Sequence, residues 1–212
     1  DMIGLYEGKS LPPLKKQYKD YAEWYRLRLE SDEMKQQEAY WLDKFSDDIP
    51  VLNLPTDYPR PVMRSPEGRI FYFSLSKPET DQIKVLARHQ KVSLTMLFLA
   101  AYNVLLHRLT GQEDMIVGIP VSGRPPGEFQ HLLGMFSNTL AMRNTPKADS
   151  SFSEFLRTVK ENSLKDYRHQ DYPLEQLVDK LDLIRIQRDT SRNALFDTLF
   201  IYQRADDRMV RI

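Results

Sequence analysis

Residues 117–143, VGIPVSGRPPGEFQHLLGMFSNTLAMR, place two apolar runs on either side of a loop rich in glycine and proline. MIVGI (115–119) reads as a short, fully apolar strand, and residues 136–143 read as a second strand that alternates. The loop between them carries Ser122 and His131, the residue types of a nucleophile and its base. Their setting argues against that chemistry. PVSGRPPG lacks the small-x-Ser-x-Gly elbow that lifts a nucleophile between strand and helix, and His131 sits in a short helical turn, EFQHLLG, among apolar neighbours. Gly118, Gly123, Gly127 and Gly134 form neither GxGxxG nor a P-loop, so they predict turns and close backbone approach, not a phosphate cradle.

Upstream, residues 14–29 set Tyr18, Tyr21, Trp24, Tyr25 and Leu29 at helical spacing, one broad aromatic face. Ser31-Asp32-Glu33 resembles a cap with acids in the first turn and predicts a second helix to about Phe45, burying Met34, Tyr40, Trp41 and Phe45. Between 47 and 68 the prolines Pro50, Pro55, Pro59, Pro61 and Pro66 forbid regular helix and predict an extended surface connector. RIFYFSL (69–75) is aromatic and β-compatible, hence a predicted strand. Pro78 after Ser76 starts a helix to about Gln90, carried by Ile83, Val85 and Leu86, and Ser93 caps a core helix over 94–109. Downstream, helices are predicted over 153–167, with Phe155, Leu156, Val159 and Leu164 inward, and over 174–181, followed by a last strand, LFDTLFIY, at 195–202. This order defines an α/β class, an α+β sandwich, without internal repeats.

In the 212 residues, 30 basic side chains balance 30 acidic ones, and 41% hydrophobic with 28% charged residues is the composition of a soluble globular protein. No basic stripe marks a nucleic-acid partner. The absence of cysteine removes disulfides, thiolate zinc sites and a Cys nucleophile, and suits a cytoplasmic location. The most apolar run, 94–109, contains Asn103, His107 and Arg108 and falls short of the ~20 residues that cross a bilayer, so no membrane partner is expected. The opening DMIGLYEGKSLPP shows no signal-peptide pattern and no Met at position 1, and predicts a fragment of a longer chain. His169 and Asp171 stand two apart, but His89 and His107 lie on separate helices and no HExxH occurs, so a structural role is expected and no metal site.

Four segments align with one pattern. YKDYAEW (18–24), LLGMFSNTLAMR (132–143) preceded by VGIPVSGR, HQDYPLE (169–175) and RDTSRNAL (188–195) resemble the fourth to seventh core motifs of non-ribosomal peptide synthetase condensation domains. The departures are small: Glu23 where an apolar residue is usual, Leu174 where Phe is common, and Ala194 where Pro is usual. The family's HHxxxDG motif, with the histidine that assists amine attack, is not present, since no two histidines here are adjacent.

The resemblance implies the C-terminal lobe of a two-lobed fold similar to chloramphenicol acetyltransferase, a mixed sheet covered by helices. Its implied organisation is a helical lead-in (1–48), a Pro-rich connector (49–68), an α/β core (69–183) with a floor loop at about 117–127, and a latch region with the last strand (184–212). It further implies tunnel residues Asn138, Ser122, Pro120, Gly118 and Met135, bracing residues Arg124, Arg143, Asp171, Arg192 and Trp24, and no catalytic residue within the segment. The implied reaction is amide formation between a carrier-bound acyl or peptidyl thioester and an aminoacyl acceptor. No cofactor is expected to bind directly; phosphopantetheine arms of donor and acceptor carrier proteins would enter the tunnel. The N-terminal lobe and an adjacent adenylation domain are the other implied partners, and the segment alone is expected to be inactive. Alternatives are a lobe of an epimerisation or cyclisation domain, or a non-catalytic module that docks carrier proteins.

Overall fold

Helix starts in this chain are set by side-chain caps. In the computed structural model, which describes residues 4, 6–8, 10, 13–63, 65, 67–182 and 191–203, α1 spans Tyr18–Leu29 behind Gln17, whose N–H donates to Asp20 Oδ2 at 2.7 Å. It begins later than the expected residue 14, because Lys15 and Lys16 would put positive charge at the helix N-terminus, where the dipole disfavours it. Ser31 accepts from Met34 N to open α2 (Asp32–Lys44), and Ser76 with Glu79 forms a reciprocal box at α3 (Lys77–His89). Ser93 caps α4 (Leu94–Thr110), which Gly111 ends at φ 71°, a left-handed conformation glycine adopts without penalty. Ser151 with Glu154 caps α5 (Phe152–Arg168), and α6 (Leu174–Asp182) follows Pro173.

Between α4 and α5 lie β1 (Met115–Val121) and β2 (Asn138–Asn144), antiparallel, with Met115 opposite Asn144 and Val121 opposite Asn138. α5 packs on α4 and β2, α6 on β2 and α2, and α3 on α4. Met34, Trp41 and Phe45 of the α2 region meet Leu99, Met115, Ile116, Leu140, Met142, Leu156 and Val159 in one buried core. Each such side chain withdrawn from water is worth roughly 1.5–3 kcal/mol. A smaller cluster of Tyr21, Leu132 and Phe136, flanked by Trp24, Tyr25 and Phe129, seats α1 on the β1–β2 loop.

Three expectations change. Residues 69–75 belong to no ladder among the described residues and are exposed, because β-propensity supplies a conformation but not a partner. The last strand contracts to one parallel bridge, Gly118 with Leu199, in which Gly118 N–H donates to Thr198 O and Phe200 N–H to Gly118 O, both at 2.9 Å. Leu164, expected inward, is exposed. Of the latch region, 184–190 and 204–212 lie outside the described residues, as do the first three residues of RDTSRNAL. No single helix among the described residues is long and apolar enough to cross a membrane.

Candidate functional site

The aromatic face of α1 also carries Arg28, since Tyr21, Trp24, Tyr25 and Arg28 follow i, i+3, i+4, i+7 spacing. Opposite stand the loop after β1 and the turn after α5, and between them lies a cavity of ≈ 340 Å³. It brings together Trp24, Ser122, Arg124, Asn138 and Asp171, five site residues named from the sequence, and Tyr25 of the aromatic face, with Arg28, Phe136 and Gln170, which were not singled out.

The loop holds its shape through Arg124 and Gly123. Arg124 Nη1 donates to the carbonyls of Phe129 (3.2 Å) and Leu132 (2.7 Å), and its guanidinium lies 4.0 Å from the Phe136 ring centre. Gly123 has φ +56°, and a Cβ there would lie 1.9 Å from Phe136 O, so no other residue fits without moving β2. The Tyr18 hydroxyl donates to Met135 O at 2.6 Å, with its ring against Gly134, where a Cβ would come within 2.1 Å. These contacts fix the cavity floor to α1.

The far wall, residues 169–174, is held almost atom by atom. Asn138 Nδ2 donates to Gln170 O (2.9 Å) and Tyr172 O (2.7 Å), while its Oδ1 accepts from Thr139 N (2.8 Å) and Leu174 N (3.2 Å). A carboxamide has two donors and two acceptor positions, so Asn138 has none left for a ligand. The sequence reading made it a hydrogen-bonding group of a tunnel; the structure places it at the cavity but engages it fully in positioning the wall. Trp41 Nε1 donates to His169 O (2.8 Å), Tyr25 Oη to Asp171 O (3.0 Å), and Asp171 N to Gln37 Oε1 (3.1 Å). Arg28 pairs with Asp171 at 2.7 Å and Glu33 at 2.9 Å while lying over Trp24. Burial pushes the Tyr25 hydroxyl up to about 12, which keeps it a neutral donor.

Behind the wall, Lys44 Nζ meets Asp166 Oδ1 at 2.5 Å and the Tyr40 hydroxyl donates to the same oxygen at 2.6 Å. Burial pushes the Asp166 carboxyl up and the Lys44 ammonium down, and their contact opposes both shifts. His169 stacks on Tyr40 with ring centres 3.9 Å apart, and its Nδ1 lies 2.8 Å from Lys165 O. His169 and Asp171 thus have separate partners. Spacing alone gave no signal for Lys44, Tyr40 or Asp166, which only the α2–α5 packing joins.

The remaining singled-out residues lie away from the cavity. Gly118 is under Phe196 and Leu199, where a Cβ would come within 2.5 Å. Pro120 is exposed on β1, and Met135 is exposed with its carbonyl taken by Tyr18. Arg143 binds both Asp114 carboxylate oxygens and the carbonyls of Lys44 and Asp48. Arg192 binds Asp197 (2.6 Å) and Leu52 O (2.9 Å). His131 is exposed in its turn, and among the described residues no three His, Asp or Glu gather in a metal-binding group.

A helix-covered sheet with a hydrogen-bonded cavity wall is the setting in which the comparisons with known proteins fall. The condensation-domain family model matches residues 1–210, and the chain belongs to that family. Bacitracin synthase 2 of Bacillus licheniformis is 53% identical over 207 residues, 98% of this chain but 8% of that protein. The chain therefore spans a small part of the curated relatives it matches. Among solved structures, a four-domain nonribosomal peptide synthetase bound to AMP and glycine matches at TM-score 0.77 and 26% identity, covering 83% of this chain and 13% of that one. The first condensation domain of the calcium-dependent antibiotic synthetase, in complex with a substrate analogue, matches at TM-score 0.65 and 25% identity, covering 84% of this chain and 39% of that one.

Proposed function

We propose that this chain is the C-terminal lobe of a condensation domain that forms amide bonds in non-ribosomal peptide synthesis, working in the cytoplasm within a larger synthetase. The family match over residues 1–210 carries the reading. In it, the aminoacyl amine held on one carrier protein attacks the acyl or peptidyl thioester held on another. The C–N bond forms as the C–S bond breaks, the donor thiol leaves protonated, and the product stays on the acceptor arm. A thioester is already activated, so alignment of amine and carbonyl can supply up to ~7–11 kcal/mol of the barrier.

The role of these residues is to hold a wall. Arg124, Asn138 and the Arg28–Asp171 pair fix the floor loop and residues 169–174, and Ser122, exposed and at the cavity, faces the entering group. Phosphopantetheine arms of donor and acceptor carriers are the proposed occupants, and the N-terminal lobe, the carriers and an adenylation domain the proposed partners. The base that assists the amine belongs, in this reading, to the N-terminal lobe.

The test is the complete condensation domain with a loaded donor carrier and an aminoacylated acceptor carrier. Amide product on the acceptor arm is expected, and Asn138→Ala, by letting the wall shift, should lower its rate on the order of 100-fold. A wild-type domain giving no amide with any tested pair refutes the activity. An Asn138→Ala domain of unchanged rate refutes the wall.

A further inference from the structure

Residues 69–75, RIFYFSL, put four consecutive large apolar side chains in water: Ile70 is 75% exposed, Phe71 86%, Tyr72 83% and Phe73 79%. No hydrogen bond from another described residue reaches the segment, and it enters no ladder among the described residues. One ring pair within it has the spacing found on a strand. The Phe71 and Phe73 rings lie on one side with centres 6.3 Å apart, the arrangement of i and i+2 side chains on a pleated chain. Its downstream end is fixed, because Ser76 and Glu79 cap α3 immediately after it and α3 packs on the core helix α4.

We infer that residues 69–75 are a strand of the finished sheet, and that the strand beside it comes from the part of the condensation domain outside these 212 residues. The inference rests on the proposal that this chain is one part of a larger domain. The chain covers 39% of the solved condensation-domain chain it matches, so more than an equal length of the same fold is available to cover the segment. Between Arg69 and Ser74 large side chains stand on both faces, Phe71 and Phe73 with Leu75 on one and Ile70 and Tyr72 on the other, which is the pattern of a strand covered on both sides. A one-sided edge strand would alternate polar with apolar. The open backbone donors and acceptors supply the pairing and the rings supply the register.

Hydrogen exchange in the complete condensation domain tests this and reads pairing whether or not the domain makes amide bonds. At least every second amide between 70 and 75 should exchange about 100-fold or more slowly than an unstructured chain. Phe73→Ser in that domain should abolish this protection while α3 retains its own. Exchange at the unstructured rate throughout 70–75 overturns the inference. Protection that appears only as protein concentration rises also overturns it, because the covering strand would then belong to a second copy.

Discussion

Residues 169–173 and residues 69–75 are short segments outside regular structure, both containing aromatic side chains, and their surroundings are opposite. The first receives Trp41, Asn138, Tyr25, Gln37 and Arg28 on its own backbone and carboxylate, and returns the Tyr172 hydroxyl to Glu38. The second receives no hydrogen bond from other described residues. A segment that reads as loop is therefore the more rigidly specified, and one with high β-propensity is the less. Order here follows from the partners a segment finds.

The comparison can be attacked at the root of the held segment. Lys44→Ala leaves the buried Asp166 carboxylate without its counter-charge, held only by the Tyr40 hydroxyl, and should cost ~3–5 kcal/mol in urea unfolding. A loss under ~1 kcal/mol would show that Asp166 is protonated or hydrated in the folded chain. Asn138→Ala removes the partner of two carbonyls and one loop N–H and should cost ~1–3 kcal/mol, with faster amide exchange confined to 170–174. Exchange spreading to β1 would mean that Asn138 holds the sheet instead of the loop.

On the open side the expectation reverses. Phe73→Ser should change the stability of the 212-residue chain by less than ~0.5 kcal/mol, since that ring leaves water for nothing here. It should reduce self-association, read by light scattering. The smallest effect belongs to the helix caps. Hydrogen bonds from Ser151 hold the Glu154 carboxyl below its ordinary 4.5. A depressed folded-state pKa contributes stability above the unfolded value and loses it as pH falls through the folded one. Glu154→Gln should therefore flatten the decline in stability between about pH 6 and about pH 3. An unchanged acid limb would remove this cap from the account.

Much of this was legible in the sequence. Ser31, Ser76 and Ser93 marked helix starts because a cap is a local interaction, and the apolar period located α2, α4 and α5. Motif resemblance brought Trp24, Ser122, Arg124, Asn138 and Asp171 forward, and these five meet at one cavity. Pro120, Gly118 and Met135 came with the same stretch but lie away from the cavity: Gly118 packs under Phe196 and Leu199, Pro120 is exposed on β1, and the Met135 carbonyl takes the Tyr18 hydroxyl. Arg28 was passed over although it stands at i+7 from Tyr21 on the same face, since the reading followed apolar type to Leu29 and not position. The strand at 69–75 was read from propensity, which carries no information on a partner outside the chain.

Several of the long polar side chains here grip backbone carbonyls, whatever side-chain partners they also hold. Arg124 holds the carbonyls of Phe129 and Leu132, Arg143 those of Lys44 and Asp48, Arg192 that of Leu52, and Asn138 those of Gln170 and Tyr172. Every residue type offers the same carbonyl. The side chains at the gripped positions can therefore change while the gripping residues keep the backbone in place.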